Sequence, residues 1–357
     1  MYSILIVNKE QYGYHIDTYK YCVNLSDKFK VTYLCWDENK SKVVTDGINC
    51  IYLEKKGQIL KRFYILISQI NKEIKKGDYN LIFINYFFGC SLAKILNFDS
   101  VFNLDIRTIA VTKNKFKNFI YDKLLIFESS IFKNITVISE ETAKQIRIKK
   151  STILPLGGEC LVKSKIDFKN LNLIYVGTLS NRNIMDLVKG FKIYLEKYPI
   201  KRNTTLTLIG DGYNNELEEL RQFVKSNNLN NRIITTGYIQ NTRLIEYFTK
   251  ANCGVSFIPI TPYYQNQPPT KTYEYLLSGL PVLATNTNAN KKIINKANGI
   301  LIEDNSEAVA KGIYDISEIL DLYNSKNIRK EMEDSLWENI VNKILSPYFK
   351  KIIRGNK

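Results

Sequence analysis

The stretch LNLIYVGTLSNRNIMDLVKGF, residues 171 to 191, runs from an apolar strand-like phrase through a glycine into a polar loop, then into a segment with helical spacing of its apolar residues. Strand, glycine turn and helix in that order are the opening of a doubly wound α/β unit. The rhythm continues downstream. LTLIGDGYNNELEEL (206–220) is a strand ending in Gly-Asp-Gly before an acidic helix start, and residues 232–259 supply a strand ending in Gly237, a helix and a further strand. LPVLAT (280–285) adds another strand.

The same alternation fills the first half, with YSILIV (2–7), KVTYLCW (30–36), NLIFIN (80–85), VFNLDI (101–106) and NITVIS (134–139). Apolar runs separated by segments long enough for crossover helices predict parallel sheets covered on both faces. Between the halves lie ILPLGGE (153–159) and the lysine-rich LVKSKIDFKN (161–170), after which the alternation starts afresh. That joint predicts a domain boundary near residue 165, giving domains over 1–165 and 166–330. A last helix over 331–357, with Leu336, Ile340 and Ile344 at helical spacing, is expected to pack back toward the first domain.

The totals fit two domains. The chain has 357 residues, 45% of them hydrophobic and 24% charged, which is a globular composition. A formal charge of +16 implies attraction to a polyanion: nucleic acid, an acidic membrane surface or a phosphorylated small molecule. No RNP, helix-turn-helix or zinc-finger signature accompanies the charge, so nucleic acid is not the expected partner. Six cysteines without a CxxC pair and a single histidine argue against zinc and for reduced thiols in a cytoplasmic protein. MYSILIVNKE reads as a first strand and not as a signal peptide, and no apolar run is long enough to span a membrane.

One segment carries the chemistry. PPTKTYEYLLSGLPV (268–282) predicts a short helix from Lys271 to Ser278, with prolines at its entry, Thr270 as N-cap, and Gly279 with Pro281 as its stop. The amides and partial positive charge of such a start, with Lys271 beside them, suit a phosphate, although capped helices are common in α/β proteins. Glu274, one turn in, is placed to accept from sugar hydroxyls.

In order and spacing these second-half motifs resemble the donor-binding domain of the GT-B glycosyltransferases, most like the retaining family 4. The resemblance implies two facing Rossmann-like domains with a cleft between them. It implies that the helix start receives the diphosphate of a nucleotide sugar, with Thr270, Lys271 and Thr272 around it and Glu274 on the ribose. Gly177, Thr178 and Arg182 would lie against the diphosphate, Tyr238 and Ile239 would hold the nucleobase, and Asn266 and Gln267 would face the sugar. The sequence departs from the family where Asn266 replaces the first glutamate of the pair and Thr178 the usual arginine.

The first half resembles the acceptor domain more weakly. His15, in the loop NKEQYGYHID (8–17), is either a helix cap or an active-site residue. Asp105 contacts sugar or acceptor, or forms a surface pair with Arg107. Glu140 faces the cleft or caps the next helix. The class of reaction implied is metal- and cofactor-independent hexosyl transfer onto a glycan or lipid-linked acceptor, in bacterial surface polysaccharide assembly. The basic, aromatic stretches 55–76 and 113–134 suit either an acidic lipid interface, at the inner face of the cell membrane, or solvated faces over ordinary core contacts. A non-catalytic polyanion binder and a nucleotide-sugar epimerase are the alternatives.

Overall fold

The computed structural model describes residues 1–109, 115–164, 166–262, 264–265 and 269–355. The chain divides into two compact units, one built from Met1–Leu156 and Trp337–Lys357, the other from Gly157–Leu336.

The first unit carries a seven-stranded sheet: β1 (Tyr2–Val7), β2 (Phe29–Asp37), β3 (Ile48–Glu54), β4 (Leu81–Asn85), β5 (Phe102–Ile106), β6 (Asn134–Val137) and β7 (Thr152–Ile153), in the order 3-2-1-4-5-6-7. The second carries β8 (Leu171–Val176), β9 (Thr204–Ile209), β10 (Ile233–Gly237), β11 (Cys253–Ser256), β12 (Val282–Thr285) and β13 (Gly299–Ile302), in the order 10-9-8-11-12-13. All these strand pairs are parallel. Central strands are covered by helices on both faces, which is why β4 reads LIFIN and is buried at every residue. The expected α/β class with two doubly wound domains is what is found.

Three strands escape a reading by apolar runs, namely β3, β7 and β13, and each is an edge strand of its sheet. The pattern INCIYLE of β3 is mostly half-exposed, so it lacks the continuous apolar signature of an inner strand.

The first unit ends at Leu156, earlier than residue 165. The reason is local bonding: Gly158 N–H donates to Ser335 O at 3.0 Å, Leu161 N–H donates to Ser278 Oγ at 3.1 Å, and Val162 lies in the core of the second unit. Arg329 adds bonds to the carbonyls of Lys163 and Ser164. The chain returns to the first unit at Trp337, where the indole meets Tyr21 edge-on at 5.7 Å and Phe349 packs on Phe29 and Phe83. A π-helical turn over Val341–Leu345 shifts the buried line here. Leu345, Phe349 and Ile353 face inward, and Ile344, expected from regular α spacing, is only half-buried.

Candidate functional site

In the second sheet the chain order reverses between β8 and β11, the place where doubly wound folds open a crevice at the carboxyl ends of their strands. The two strands pair only at Leu173 with Cys253 and Ile174 with Gly254, then part. Val176 N–H, beyond the last paired residue, donates instead to the hydroxyl oxygen of Tyr275 at 2.9 Å. Tyr275 comes from the helix Thr270–Leu277, and its ring reaches that point because residue 254 is glycine: a Cβ there would stand 2.3 Å from the ring. One tyrosine therefore completes the parted strand and fixes the helix over it.

The helix is anchored from below as well. Thr272 is fully buried, its hydroxyl 2.7 Å from Ser256 Oγ and donating to Asn290 Oδ1 at 3.2 Å, while Asn290 Nδ2 donates to Thr285 O at 2.8 Å. The Thr272 side chain is thus committed to the interior and not presented to a ligand, a correction to the sequence reading. The start also differs. Thr270 is the first helical residue, and the capping position falls on Pro269, which has no side chain able to close the first amides. In place of a hydroxyl cap, the Pro269 carbonyl accepts from Thr272 N–H at 3.0 Å. The helix ends as expected, with Gly279 at φ +80°.

Two cavities meet at this helix start. One, of about 300 Å³, is walled by Gly177, Thr178, Arg182, Tyr264, Thr270 and Lys271. The other, of about 560 Å³, is walled by Gly210, Asp211, Tyr213, Tyr238, Ile239 and Lys271. Val176, Gly177, Thr178 and Lys271 belong to both. Arg182 is held in place by Tyr264: its guanidinium lies 4.4 Å from the ring centroid and donates to the hydroxyl. Lys271 Nζ is 2.9 Å from Glu274 Oε2, whose side chain is 12% exposed. Tyr238, 74% exposed, offers an open aromatic face at the far cavity.

The structure thus gathers Gly177, Thr178, Arg182, Thr270, Lys271, Glu274, Tyr238 and Ile239 in one unit around the two cavities and the helix start. Asn266 and Gln267 lie outside the described residues. Sequence reasoning missed Tyr264 and Tyr275, since a tyrosine in a loop or on a helix announces neither a stacking nor a bonding role. It also missed Asp211 and Tyr213, for which the Gly-Asp-Gly turn after β9 was the available signal.

The first-unit candidates are placed differently. His15 caps the helix Ile16–Leu25, its Nδ1 accepting from Thr18 N–H at 3.3 Å and lying 2.8 Å from the Thr18 hydroxyl. Asp105 is fully buried: one carboxylate oxygen accepts from Asn85 Nδ2 at 2.9 Å and the other from Thr136 Oγ1 at 2.7 Å. Burial raises its pKa, against the opposing pull of Arg107 and of the Thr136 hydroxyl. Asp105 is therefore neither offered to a substrate nor half of a surface pair. Arg107 bonds Asp17 and the carbonyl of Leu154 instead. The cause is strand alternation combined with burial, since β5 is an inner strand with all five residues enclosed. Asn85 Oδ1 accepts from Thr18 Oγ1 and Asn8 Nδ2, so His15, Thr18, Asn85, Asp105 and Thr136 form one polar chain at the carboxyl ends of β1, β4 and β5. Glu140 stands apart in the first turn of the helix Glu140–Gln145, largely exposed, while Ser139 makes the cap.

With this geometry in hand the relatives are informative. The fold is that of the GT-B glycosyltransferases, and residues 170–318, which make up most of the second unit, match the family model "Glycosyl transferases group 1". Among solved structures the chain is similar to a sucrose-phosphate synthase from Thermosynechococcus elongatus, at 16% identity and TM-score 0.74, covering 99% of this chain and 100% of that one. It is also similar to HepE of Anabaena in complex with UDP and glucose, at 13% identity and TM-score 0.74, covering 98% and 100%. A glycosyltransferase from Rickettsia africae aligns at 16% identity and TM-score 0.73, covering 99% of each chain. No curated protein matches the chain in sequence.

Proposed function

We propose that the protein is a retaining hexosyltransferase, which takes a sugar from a nucleoside diphosphate and passes it to a glycan or lipid-linked acceptor in bacterial surface polysaccharide assembly. The observation that carries this reading is the meeting of two cavities at Lys271, on a helix start with no side-chain cap, at the switch point of the second unit. The pyrophosphate sits at the helix start, where the partial positive charge of the helix, Lys271 and Arg182 offset its charge. The larger cavity takes the nucleoside, with the base against Tyr238 and Ile239. The ribose hydroxyls donate to Glu274, which releases Lys271 toward the phosphates. The anchoring of Arg182 by Tyr264 and of the helix by Tyr275 and Thr272 keeps these groups in place before substrate arrives, which is what electrostatic stabilisation of a departing diphosphate requires. That charge compensation needs no metal or cofactor. The sugar leaves through an oxocarbenium-like state, and the departing phosphate accepts the proton of the incoming hydroxyl on the same face.

UDP is the first probe to use, because HepE and other structural neighbours are described as bound to UDP or a UDP-sugar. Thermal unfolding with UDP, GDP, ADP and inorganic pyrophosphate tests the site. A ligand that binds only the folded state at a hundred times its Kd adds about 2.7 kcal/mol of stability, so one nucleotide should raise the midpoint well above the others. A midpoint unmoved by every nucleotide contradicts the donor site. Sugar released with its configuration inverted at a ring carbon, and not transferred, would make the protein an epimerase. The placement expected is the cytoplasm, peripheral on the inner face of the cell membrane.

A further inference from the structure

The helix Lys115–Ser129 of the first unit is built inside out. Its inner side carries Asp122, Leu125, Glu128 and Ser129, all buried or half-buried, and its outer side carries Phe119, Ile120 and Phe127, with Phe119 58% and Phe127 66% exposed. A helix whose outer face meets only water has the opposite arrangement. One inner carboxylate links two helices: Glu128 Oε1 accepts from Gly89 N–H at 2.7 Å and from Ser91 Oγ at 2.9 Å, which ties this helix to the start of the neighbouring helix Ser91–Leu96.

The apolar surface continues across the neighbours. The helix Ser91–Leu96 and its flanks expose Phe88, Ile95 and Phe98, and the helix Ile59–Lys76 exposes Leu60 (83%) and Tyr64 (72%). Phe63 of that last helix packs directly on Gly89, so the three are contiguous. They link β3 to β4, β4 to β5 and β5 to β6, successive right-handed crossovers in one direction along the sheet, and so they cover the same sheet face.

The exposed charges on the three helices themselves have one sign, while Asp78 and Asp99 are exposed just beyond the ends of two of them. The acids of the three helices are Glu73, Asp122 and Glu128, and none is exposed. Lys61, Lys72, Lys75, Lys76, Lys117 and Lys123 are all exposed, and Lys123 Nζ lies 5.3 Å from the ring centroid of Phe119. Aromatic and aliphatic side chains ringed by lysines suit the headgroup and upper acyl region of an anionic bilayer. A second copy of the chain would bring lysine against lysine.

We propose that this face, formed by the helices 59–76, 91–96 and 115–129, is a docking surface for an anionic lipid bilayer. It gives the peripheral placement proposed above a specific surface, and its test uses lipid without donor, so its failure would leave the donor site standing. The full chain is floated with vesicles of phosphatidylcholine alone and of phosphatidylcholine mixed with phosphatidylglycerol. It should rise only with the anionic vesicles. Each lysine near such a surface contributes about a fivefold gain in partitioning, so Lys61→Gln/Lys123→Gln should weaken it about twenty-five-fold. Leu60→Ser/Phe119→Ser should weaken it about tenfold or more through lost apolar burial. Both variants change exposed side chains and should keep the wild-type melting midpoint. Flotation equal on both vesicles, none on either, variants that partition like wild type, or a dimer that the serine variant turns into a monomer would each overturn the proposal.

Discussion

A single hydroxyl holds the second unit's switch point together. Tyr275 accepts from Val176 N–H at 2.9 Å, where β8 has parted from β11 and no strand carbonyl is in place to do so. Tyr275→Phe keeps the ring and removes the acceptor, leaving a buried N–H unpaired. The variant should lose about 1–3 kcal/mol by chemical denaturation and bind nucleotide more weakly, since the helix that seats the nucleotide loses one anchor. A stability equal to wild type would show that the bond does not carry the parted strand. The residue scale is also where the sequence was least informative. Thr270 and Thr272 flank Lys271 and look alike as letters, but Thr270 lines a cavity with Lys271 whereas Thr272 is sealed under the helix by Ser256 and Asn290. Asp105 reads as a chemical group and is instead an internal strut between Asn85 and Thr136. Direction of a polar side chain depends on which strand becomes its neighbour, and that is a property of the assembled sheet.

At the scale of elements, inner strands were legible because burial on two faces demands an unbroken apolar run, as in LIFIN. Edge strands carry no such demand, so β3, β7 and β13 did not stand out. The helix at 270 was legible from its punctuation, Pro269 before and Gly279 after, and its start moved by one residue because the capping position went to a proline. The terminal segment was legible as a helix but not in its facing, because a π turn inserts one residue into the repeat. Phe349, fully buried on Phe29 and Phe83, lies on the inward line that this turn creates. Phe349→Ala should destabilise the first unit by about 3–5 kcal/mol, read as a lowered denaturation midpoint. A loss below about 1 kcal/mol would mean that residues 337–357 are not part of that core.

Across the molecule, each unit holds buried thiols, Cys22, Cys35 and Cys90 in the first and Cys253 in the second. Burial pushes Cys35 and Cys90 in the first unit, and Cys253 in the second, up to about 12 from the ordinary 9.0. A raised folded-state pKa means that the native chain holds protons which the unfolded chain releases, so the stability these thiols contribute is complete below pH 9 and is lost as pH climbs toward 12. The slope is about 1.4 kcal/mol per pH unit for each thiol in that window. Denaturation midpoints measured from about pH 8 to 11 should fall steadily, and these three cysteines should resist a thiolate-specific reagent in the native state at about pH 8. Rapid labelling of all three in folded protein would contradict this.

The central claim is that the start of the helix Thr270–Leu277, with Lys271 and Glu274, seats a nucleoside diphosphate. Calorimetric titration of the full chain with UDP, wild type against Glu274→Ala, tests it most directly. A ribose-holding carboxylate contributes charge-assisted hydrogen bonds of about 1.5–3 kcal/mol, so affinity should fall roughly ten- to a hundredfold with the melting midpoint little changed. Unchanged affinity for the nucleotide in a well-folded Glu274→Ala protein would contradict the account.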